Sequence, residues 1–430
     1  MKRNHWEEYK EYKYQLALFG GKMKKIVHIT FSDDTGGAAI AAYRLNHAMC
    51  EMGLDSKMVV FEKKRKGSDT NTIYQNTIES YLYKFKIYVL GERGFINTGK
   101  NGYYSFFSIG NPIWKNDLIK EADIVYLHWI NRGFLNSKDI LWLLKNKEKV
   151  IWVMHDMFPL TGGCHHALNC KQYKAGCRKC GVMRKYRCSV KRQFKSKLQF
   201  KNYDNMYWIA PSKWLYRCAE KAKMIDNGRL YHIPNPIDRN FFSIEKNIAK
   251  TALGLDVTKS YILYGGDNIT HNPYKGYNYF RKMIVSLNQK LIHIGKKDVE
   301  LLVFGTDGTD EALKKLPIPV VALGEVRDEK TMNLLYNASE VLVSTSIAEN
   351  SPLVVQESVT CGTPVVAFNV GGISDFIRSD SDGCLVEDRN TDEMAECLMN
   401  LLLRKKLNKE ERCVSAITEV VDQHRKVFSL

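Results

Sequence analysis

The feature that most constrains this chain is the alternation of short apolar runs with longer amphipathic segments. The strand-length runs of the first half are "KKIVHIT", "SKMVVF", "DIVYLHW", "KVIWVMHD" and "MYWIAP", and those of the second half are "SYILYGG", "ELLVFG", "VVALG", "EVLVSTS", "TPVVAF" and "GCLVE". Helix-length segments between such runs are typical of parallel sheets covered by helices. We therefore predict an α/β fold.

The segment "YHIPNPIDRNFF" (231–242) divides this pattern into two halves, because its two prolines break regular structure and suit an interdomain linker. A chain of 430 residues is also too long for one compact core and suits two domains of roughly 200 residues each. We predict an N-terminal extension (1–22), an N-terminal domain (23–234), a C-terminal domain (235–412) and a C-terminal helix (413–430) that packs back on the N-terminal domain.

The apolar runs also bear on where the chain resides. Runs such as "VIWVM" are far shorter than the ~20 residues that a membrane-spanning helix needs. The first residues are charged and lack an apolar core followed by a small-residue cleavage site, so no secretory signal is predicted. We expect a cytoplasmic protein without a membrane span.

Positive charge is concentrated in the middle of the chain. The formal net charge is +17, and residues 157–203 contain twelve Lys or Arg and no Asp or Glu. This block is either a solvated basic face or a surface that meets an anionic partner. The candidate partners are a membrane surface, a pyrophosphate-bearing substrate and nucleic acid.

A glycine pair follows the first strand run. Thr35-Gly36-Gly37 connects this run to an Ala-rich helical segment, where backbone N–H groups at a helix N-terminus can approach a phosphate. The spacing is neither that of G-x-G-x-x-G nor that of a P-loop, and a plain turn accounts for it as well. Gly36 and Gly37 are therefore candidate contacts of a phosphate group.

Two glutamates eight residues apart mark the second half. Glu349 follows a strand run, and Glu357 lies about two turns along a helix that Ser351-Pro352 opens and Gly362 ends. A carboxylate accepts hydrogen bonds from vicinal hydroxyls, which is what binding a ribose or a sugar ring requires. The alternative is that each glutamate is a surface acid or a partner of the helix dipole.

The segment "ENSPLVVQE", followed by "CGTPVVAFNVGG", resembles the EX7E signature of retaining glycosyltransferases of family 4, which have the GT-B fold. The resemblance extends through "GEVRDEKTMNLLYNASEVLVSTS" and "SDGCLVEDRNTDEMAECLMNLL". It is strong over residues 230–405 and weaker over 24–230. It implies two Rossmann-like, doubly wound domains that face each other across a cleft holding the active site. It also implies transfer of a sugar from a nucleotide-sugar without an obligatory metal cofactor.

The resemblance assigns roles to matching residues of this chain. Glu349 is implied to lie beside the donor sugar, and Glu357 to bind the nucleotide ribose. The segment after the first glutamate is implied to present backbone N–H groups to the sugar or the diphosphate, and it consists of Asn350, Ser351, Pro352 and Leu353.

Lys275, which precedes Gly276, matches the basic site that faces the donor diphosphate in this family. A lysine compensates phosphate charge there as a point cation. Family members often have an arginine about six residues earlier, where this chain has Ile269. Lys275 is therefore expected to compensate more of the charge, and the alternative is that it is an ordinary exposed lysine.

The run "VIWVMHD" is predicted to be a strand that ends in His155-Asp156. In the family pattern His155 resembles the N-domain histidine that contacts the donor sugar and the neighbouring acceptor. A neutral imidazole can donate or accept a hydrogen bond there. Asp156 is expected to orient His155 or the acceptor, and the alternative is that His155 closes a loop network at the strand end.

The next loop, residues 161–188, contains a cluster of cysteines with the spacing C-x5-C-x6-C-x2-C, namely Cys164, Cys170, Cys177 and Cys180. Four thiolates can make a closed tetrahedral zinc site, and disulfides do not persist in a reducing cytoplasm. We predict a structural zinc ion, with chance clustering and redox disulfides as alternatives. His165 or His166 could replace one thiolate, and the two glycines before Cys164 are expected to leave room for a phosphate.

The combination of "HDMFPLTGGCHH", the trailing cysteines and "LHWINRGFL" resembles bacterial glycosyltransferases of surface polysaccharide assembly, as in lipopolysaccharide or capsule. We predict a retaining hexosyltransferase that acts on a hydroxyl of a glycan or polyprenyl-diphosphate-linked acceptor, at the cytoplasmic face of the membrane. One rival is a zinc-containing nucleic-acid-binding protein, which leaves Glu349 and Glu357 without a role, so no nucleic acid partner is expected. The other is a GT-B nucleotide-sugar epimerase.

Overall fold

The computed structural model describes residues 23–66, 70–74, 76–86, 88–89, 94–306, 309–403 and 416–429. The predicted N-terminal extension (1–22) lies outside the described residues. The chain forms two compact units. Unit 1 comprises the described residues up to Pro211, Leu215–Pro236 and those from Ala416 onward, and unit 2 comprises Ser212–Trp214 and the described residues from Ile237. The boundary thus falls two residues after the predicted one.

Unit 1 is built on a seven-stranded sheet in which all neighbouring strands are parallel. In their order across the sheet, the strands are β3 (Thr70–Thr72), β2 (Asp55–Glu62), β1 (Lys25–Ser32), β6 (Ile124–Leu127), β7 (Lys149–Val153), β8 (Met206–Ala210) and β9 (Leu230–His232). The strand order reverses between β1 and β6. Ligands of such sheets bind beyond the carboxyl ends of the strands at this switch point.

The remaining elements of unit 1 are an antiparallel pair, β4 (Phe95–Asn97) with β5 (Tyr103–Ser105), and a set of helices. The helices are α1 (Gly37–Glu51), α2 (Thr77–Lys86), α3 (Asp117–Glu121), α4 (Ser137–Asn146), α5 (Arg187–Leu198), α6 (Lys213–Glu220) and α13 (Ile417–Ser429). Local chemistry fixes the start of α4, where Asn136 and Asp139 form a reciprocal capping box that satisfies first-turn N–H groups.

The C-terminal helix α13 belongs to the core of unit 1. Val420, Val421 and Val427 are buried in one apolar cluster with Ile26 of β1 and Leu45 of α1. The apolar spacing of α13 thus serves to cover one face of the sheet. The helix thus packs against the first elements of unit 1, although it follows unit 2 in the sequence.

Unit 2 is built on a six-stranded, fully parallel sheet. Its strands, in order across the sheet, are β12 (Val320–Ala322), β11 (Val299–Phe304), β10 (Ser260–Gly265), β13 (Val341–Ser344), β14 (Val365–Phe368) and β15 (Gly383–Val386). Its helices are α7 (Lys246–Ala252), α8 (Tyr277–His293), α9 (Glu311–Lys314), α10 (Glu329–Ala338), α11 (Leu353–Thr360) and α12 (Thr391–Leu403). The switch point lies between β10 and β13.

Both faces of the unit 2 sheet are covered. On β10, Tyr261 and Leu263 join one apolar cluster, while Ile262 and Tyr264 join the other. A strand that is buried on both faces reads as a continuous apolar run, which explains the pattern "YILY". Both units therefore confirm the predicted α/β class. Within the described ranges, no helix combines the length and apolar character needed to cross a bilayer.

Candidate active site

The switch point of unit 2 brings Lys275 and Glu349 together. Lys275 follows β10 and Glu349 follows β13, and Lys275 Nζ lies 2.7 Å from Glu349 Oε1. Ser346 Oγ donates to the same carboxylate oxygen over 2.9 Å. Both charged side chains are largely shielded from solvent, with 20% and 14% of their surfaces exposed. The two residues that the sequence assigned separately to the diphosphate and the sugar thus form one ion pair.

Backbone contacts hold the loops of this ion pair in place. Thr345 Oγ1 donates to the Lys275 carbonyl oxygen over 3.0 Å, and the Ile347 N–H donates to the Tyr274 carbonyl oxygen over 2.8 Å. Gly276 begins α8 with a φ of 67°, and a Cβ there would lie 2.0 Å from the Thr345 carbonyl oxygen. Only glycine fits this left-handed, crowded position.

The loop after β14 packs directly on the backbone of the predicted donor segment. A Cβ on Gly371 would lie 1.6 Å from the Glu349 carbonyl oxygen, and one on Gly372 would lie 2.0 Å from the Asn350 carbonyl oxygen. These contacts fix the conformation of the segment that carries Glu349. No role was predicted for Gly371 and Gly372, although the sequence shows a glycine pair shortly after a strand.

Residues 350–352 lead into α11, which begins at Leu353. Asn350 is buried and accepts a hydrogen bond from Ser212 Oγ over 2.6 Å. Pro352 is the residue before Leu353 at the helix start and supplies no side-chain cap. First-turn N–H groups without a side-chain acceptor suit an anion or a hydroxyl oxygen. Leu353 lies on this turn, and Ser351 precedes the cap residue Pro352, so the helix begins just after the Ser351-Pro352 pair that was predicted to open it.

Glu357 lies further along α11 and is buried, with 5% of its surface exposed. Tyr336 of α10 donates its hydroxyl to Glu357 Oε2 over 2.7 Å. One carboxylate oxygen is therefore engaged inside unit 2 by a residue that the sequence did not single out. This bond gives the carboxylate a fixed orientation, and its assignment to the ribose stays a prediction.

The switch point of unit 1 contains a row of three histidines. His28 lies on β1, His128 directly follows β6, and His155 follows β7. His28 Nδ1 lies 2.9 Å from His128 Nε2, and His128 Nδ1 lies 2.9 Å from His155 Nε2. Burial lowers the pKa of His28 to about 3 and that of His155 to about 4, and it holds the pKa of His128 well below its ordinary value. All three imidazoles are therefore neutral near pH 7.

Gly36 and Gly37 stand at the same end of the sheet, between β1 and α1. Gly36 has a φ of 82° and supplies no side-chain cap for α1. A Cβ on Gly36 would meet no described atom within 4 Å, so the left-handed backbone rather than crowding requires glycine here. The open space suits the predicted phosphate contact and equally suits a plain turn.

One prediction was that Asp156 orients His155, but the structure pairs Asp156 with a different histidine. Its Oδ2 lies 2.6 Å from His165 Nδ1, and its Oδ1 accepts the Phe158 N–H over 2.8 Å. His165 Nε2 lies 2.7 Å from Ser105 Oγ. Both ring nitrogens of His165 are thus engaged, so His165 does not serve as a substitute for a cysteine ligand. The loop network, rather than adjacency in sequence, decides the partner of Asp156.

The predicted cysteine cluster is gathered in space. Cys164, Cys170, Cys177 and Cys180 line one small cavity. The Gly162 N–H donates to Cys177 Sγ and the Met183 N–H to Cys180 Sγ, each over 3.3 Å. Burial raises the pKa of Cys164 to about 12 and that of Cys177 to about 11. Across the described part of the chain, no group of three or more His, Cys, Asp or Glu stands in an arrangement that could hold a metal ion.

The two glycines before Cys164 do not leave room for a phosphate. A Cβ on Gly163 would lie 2.4 Å from the Tyr104 ring, and one on Gly162 would lie 2.6 Å from Val190. Because neither glycine has a side chain, the loop can pack closely against β5 and α5.

Lys197 is counted in the basic block, yet it is buried. Its Nζ donates to the carbonyl oxygens of Phe158 (2.5 Å) and Thr161 (3.1 Å) and lies 3.3 Å from the centroid of the Phe158 ring. Burial lowers its pKa to about 7. This lysine ties α5 to the loop, and no local sequence signal separates it from its exposed neighbours.

Comparison with solved structures defines the fold class. The chain is similar to sucrose-phosphate synthase from Thermosynechococcus elongatus, with a TM-score of 0.61, 17% identity and coverage of 95% of this chain and 94% of that one. It is also similar to Anabaena HepE in complex with UDP and glucose, with a TM-score of 0.59, 14% identity and coverage of 94% and 99%. Together with the two parallel-sheet units, these likenesses establish the GT-B fold.

Comparison of sequences then supports a family within that fold. Residues 259–404 match the family model described as Glycosyl transferases group 1, which supports that family for unit 2. The chain is 30% identical over 182 residues to the uncharacterized glycosyltransferase MJ1607 of Methanocaldococcus jannaschii, covering 41% of this chain and 43% of the relative, so it spans less than half of that protein. It is 23% identical over 376 residues to WcaC of Escherichia coli (strain K12), whose name assigns it to colanic acid biosynthesis, covering 82% and 85%.

The crowding at Gly276 generates a stability prediction. Gly276→Ala should destabilise unit 2 by about 3 kcal/mol or more, because left-handed strain adds to the displacement of the Thr345 carbonyl. Gly254→Ala is the matched control, since Gly254 has a φ of 68° and a Cβ there would meet no described atom within 4 Å. It should cost only about 1–2 kcal/mol. Urea unfolding of both variants measures the difference, and equal losses would contradict the role given to the contact.

Proposed function

We propose that this protein is a retaining glycosyltransferase that moves a sugar from a nucleotide-sugar to a hydroxyl of a glycan or lipid-linked acceptor. The observation that carries the proposal is the ion pair of Lys275 and Glu349 at the switch point of unit 2. The group 1 match over residues 259–404 and the named pathway of the E. coli relative support it. The complex of Anabaena HepE with UDP and glucose supports a nucleotide-sugar as donor.

In the proposed reaction Lys275 binds the donor diphosphate. Phosphate oxygens replace the Glu349 carboxylate as partners of the ammonium group, and the first-turn N–H groups of α11 add further donors. These positive groups stabilise the charge that develops on the departing nucleotide. The Gly36-Gly37 turn is proposed to offer backbone N–H groups to the same phosphates.

Once released from Lys275, Glu349 accepts hydrogen bonds from hydroxyls of the donor sugar. Glu357, which Tyr336 orients, accepts those of the ribose. The bond from the anomeric carbon to the diphosphate breaks, and the acceptor oxygen bonds to that carbon on the same face. The proton of the acceptor passes to the departing diphosphate, and His155 hydrogen-bonds the sugar. These steps describe hexosyl transfer of the kind used in surface polysaccharide synthesis.

Donor binding is tested by thermal shift against UDP-, GDP- and ADP-sugars. A ligand at one hundred times its Kd stabilises the native state by about 2.7 kcal/mol and should raise the Tm by several degrees. Glu357→Gln should abolish this shift, because an amide cannot accept as a carboxylate does. Glu396→Gln, which alters an exposed ion pair with Lys290, is the matched control and should keep it.

The rival functions give other outcomes in the same screen. A nucleic-acid-binding protein should show no shift with any nucleotide-sugar, and an epimerase should interconvert the donor without transferring it to a glycan or lipid acceptor. Equal shifts in wild type and Glu357→Gln would remove Glu357 from the donor site.

We also propose a structural zinc ion at the cysteine cluster. Four thiol groups facing one cavity fit the preference of zinc for thiolates, and the two N–H···S contacts would stabilise thiolate charge. The described arrangement is not that of a closed site, so binding requires the four sulfurs to converge. The nearby buried ammonium of Lys197 would offset the negative charge of a zinc tetrathiolate.

Metal analysis of the purified protein tests this proposal. We expect one zinc per chain, lost in Cys177→Ser and Cys180→Ser but kept in Cys188→Ser, because Cys188 is exposed and does not line the cavity. Treatment with a chelator should lower the Tm of the wild type to that of Cys177→Ser. A metal-free wild type with an unchanged Tm would overturn the assignment.

We further propose that unit 1 associates with an anionic membrane surface through α2. Five large apolar side chains on or just after this helix are 62–77% exposed, namely Ile78, Tyr81, Leu82, Phe85 and Tyr88. The first four repeat at i, i+3, i+4 and i+7, which gives one apolar helix face. With Lys84 beside them and a net charge of +17, they match a helix that lies in an anionic interface. Such binding would bring unit 1 to the surface in which a polyprenyl-diphosphate-linked acceptor is anchored.

Cosedimentation with vesicles that contain anionic lipid tests this surface. The double variant Leu82→Ser, Phe85→Ser should bind at least ten-fold more weakly, since each buried apolar side chain contributes about 1.5–3 kcal/mol. Ile292→Ser is the matched control, because Ile292 is 70% exposed on α8 of unit 2. Equal vesicle binding by the wild type and both variants would contradict the proposal. It would also be contradicted if the wild type and Ile292→Ser sediment as dimers and the double variant as a monomer, because the apolar face of α2 would then be a dimer interface.

A further inference from the structure

The row of three histidines contains two members that the proposed reaction does not use. We infer that His28 and His128 are positioning residues that fix which ring nitrogen of His155 carries the proton, so that His155 Nδ1–H is a hydrogen-bond donor for the substrate. The donor role toward a sugar rests on the proposed function. The position of the proton is a property of the protein alone.

Sheet geometry explains why the three rings meet. β1, β6 and β7 are neighbours, and their parallel register places His28, His128 and His155 on one face of the sheet. The ring centroids of successive histidines are 5.2 Å apart, with interplanar angles of 23° and 26°. This spacing is close to the roughly 4.8 Å between strands, so the rings stack as the strands do. The backbone N–H of His128 also donates to the Ile29 carbonyl oxygen over 2.9 Å, which holds the backbone of the middle histidine against β1.

A chain of neutral imidazoles has only two self-consistent proton arrangements. Each ring carries one N–H and one acceptor nitrogen, and each link needs one donor. If His28 donates from Nδ1 to His128, then His128 donates from Nδ1 to His155 Nε2, and the proton of His155 lies on Nδ1. In the reverse arrangement His155 donates from Nε2, and its Nδ1 is a bare acceptor.

The inner end of the chain selects between these arrangements. His28 is fully buried, and its Nε2 has no hydrogen-bond partner among the described residues. In the reverse arrangement this atom would be an unsatisfied N–H, whereas in the first it is an unsatisfied acceptor. Buried N–H groups without a partner are the rarer case in native structures, and an acceptor is tolerated more often.

The surroundings of that end agree with this choice. Hydroxyl groups of Tyr126 and Thr30 are also buried without a described partner, and the Tyr126 ring stacks on His28 at 4.6 Å. The His424 ring of α13 also lies at this end, with its centroid 5.5 Å from that of Tyr126 and its Nδ1 buried without a described partner. Neither hydroxyl lies within hydrogen-bonding distance of His28 Nε2, so no described group at this end would accept a hydrogen bond from an N–H on that atom.

Long-range proton–nitrogen correlation spectra of protein labelled with 15N-histidine test the inference directly, because they show which nitrogen of each ring is protonated. His155→Asn identifies the His155 signals. We expect a single neutral form of His155 with its proton on Nδ1. A proton on Nε2, or a mixture of both forms in the wild type, would overturn the proposal.

Variants at the inner end test the transmission along the chain. His28→Leu removes the hydrogen-bond donor to His128, so His155 should become a mixture of tautomers. If nine-tenths of the protein then holds the form with the His155 proton on Nε2, kcat/KM for sugar transfer should fall roughly ten-fold. In His28→Asn the amide can donate from nearly the same position, so this variant should partly restore both the single His155 tautomer and kcat/KM. Tyr126→Phe is the matched control and should leave the tautomer unchanged.

These readings separate two kinds of failure. An unchanged His155 tautomer in folded His28→Leu overturns the positioning role, and if that variant does not fold, the wild-type spectrum and His28→Asn decide it. The expected tautomer in a protein without glycosyl transfer activity supports the hydrogen-bond chain and overturns the proposed function instead.

Discussion

The ion pair between Lys275 and Glu349 joins the loops after β10 and β13, and the proposed chemistry of unit 2 depends on this interaction. A partly buried ammonium group loses hydration that one carboxylate and its neighbours must replace. The pair also requires the loops after β10 and β13 to stay in register, which the Thr345 contact to the Lys275 backbone and the crowding at Gly276 enforce. In the proposed reaction, diphosphate oxygens replace the Glu349 carboxylate as charge-assisted partners of the ammonium group.

The fold could be predicted from the sequence because the strands of a parallel sheet are buried on both faces. Such strands require continuous runs of apolar residues, which are visible in the sequence. The placement of Lys275, Glu349 and His155 in the segments that follow strands was also accessible, since strand ends are local features. The ion pair itself was not, because it depends on β10 and β13 being neighbours although 75 residues of chain separate them. Gly265 is the last residue of β10, and Val341 is the first residue of β13.

Long-range partners explain the predictions that the structure altered. Asp156 is adjacent to His155 in sequence, but the loop returns His165 to its carboxylate. Gly162 and Gly163 resemble a ligand-binding turn, but Tyr104 and Val190 fill the space beside them. Lys197 has the composition of a solvated basic block and is instead a buried tie between α5 and the loop. In each case the deciding neighbour lies in another element, which local pattern does not encode.

The position of α13 has a consequence for biosynthesis. Val420, Val421 and Val427 complete an apolar cluster whose other members come from the first strands of the chain. A ribosome therefore releases all of unit 2 before unit 1 acquires its last layer. During that interval the apolar sheet face that α13 later covers is exposed to solvent. The nascent chain then most needs chaperones to protect it from aggregation.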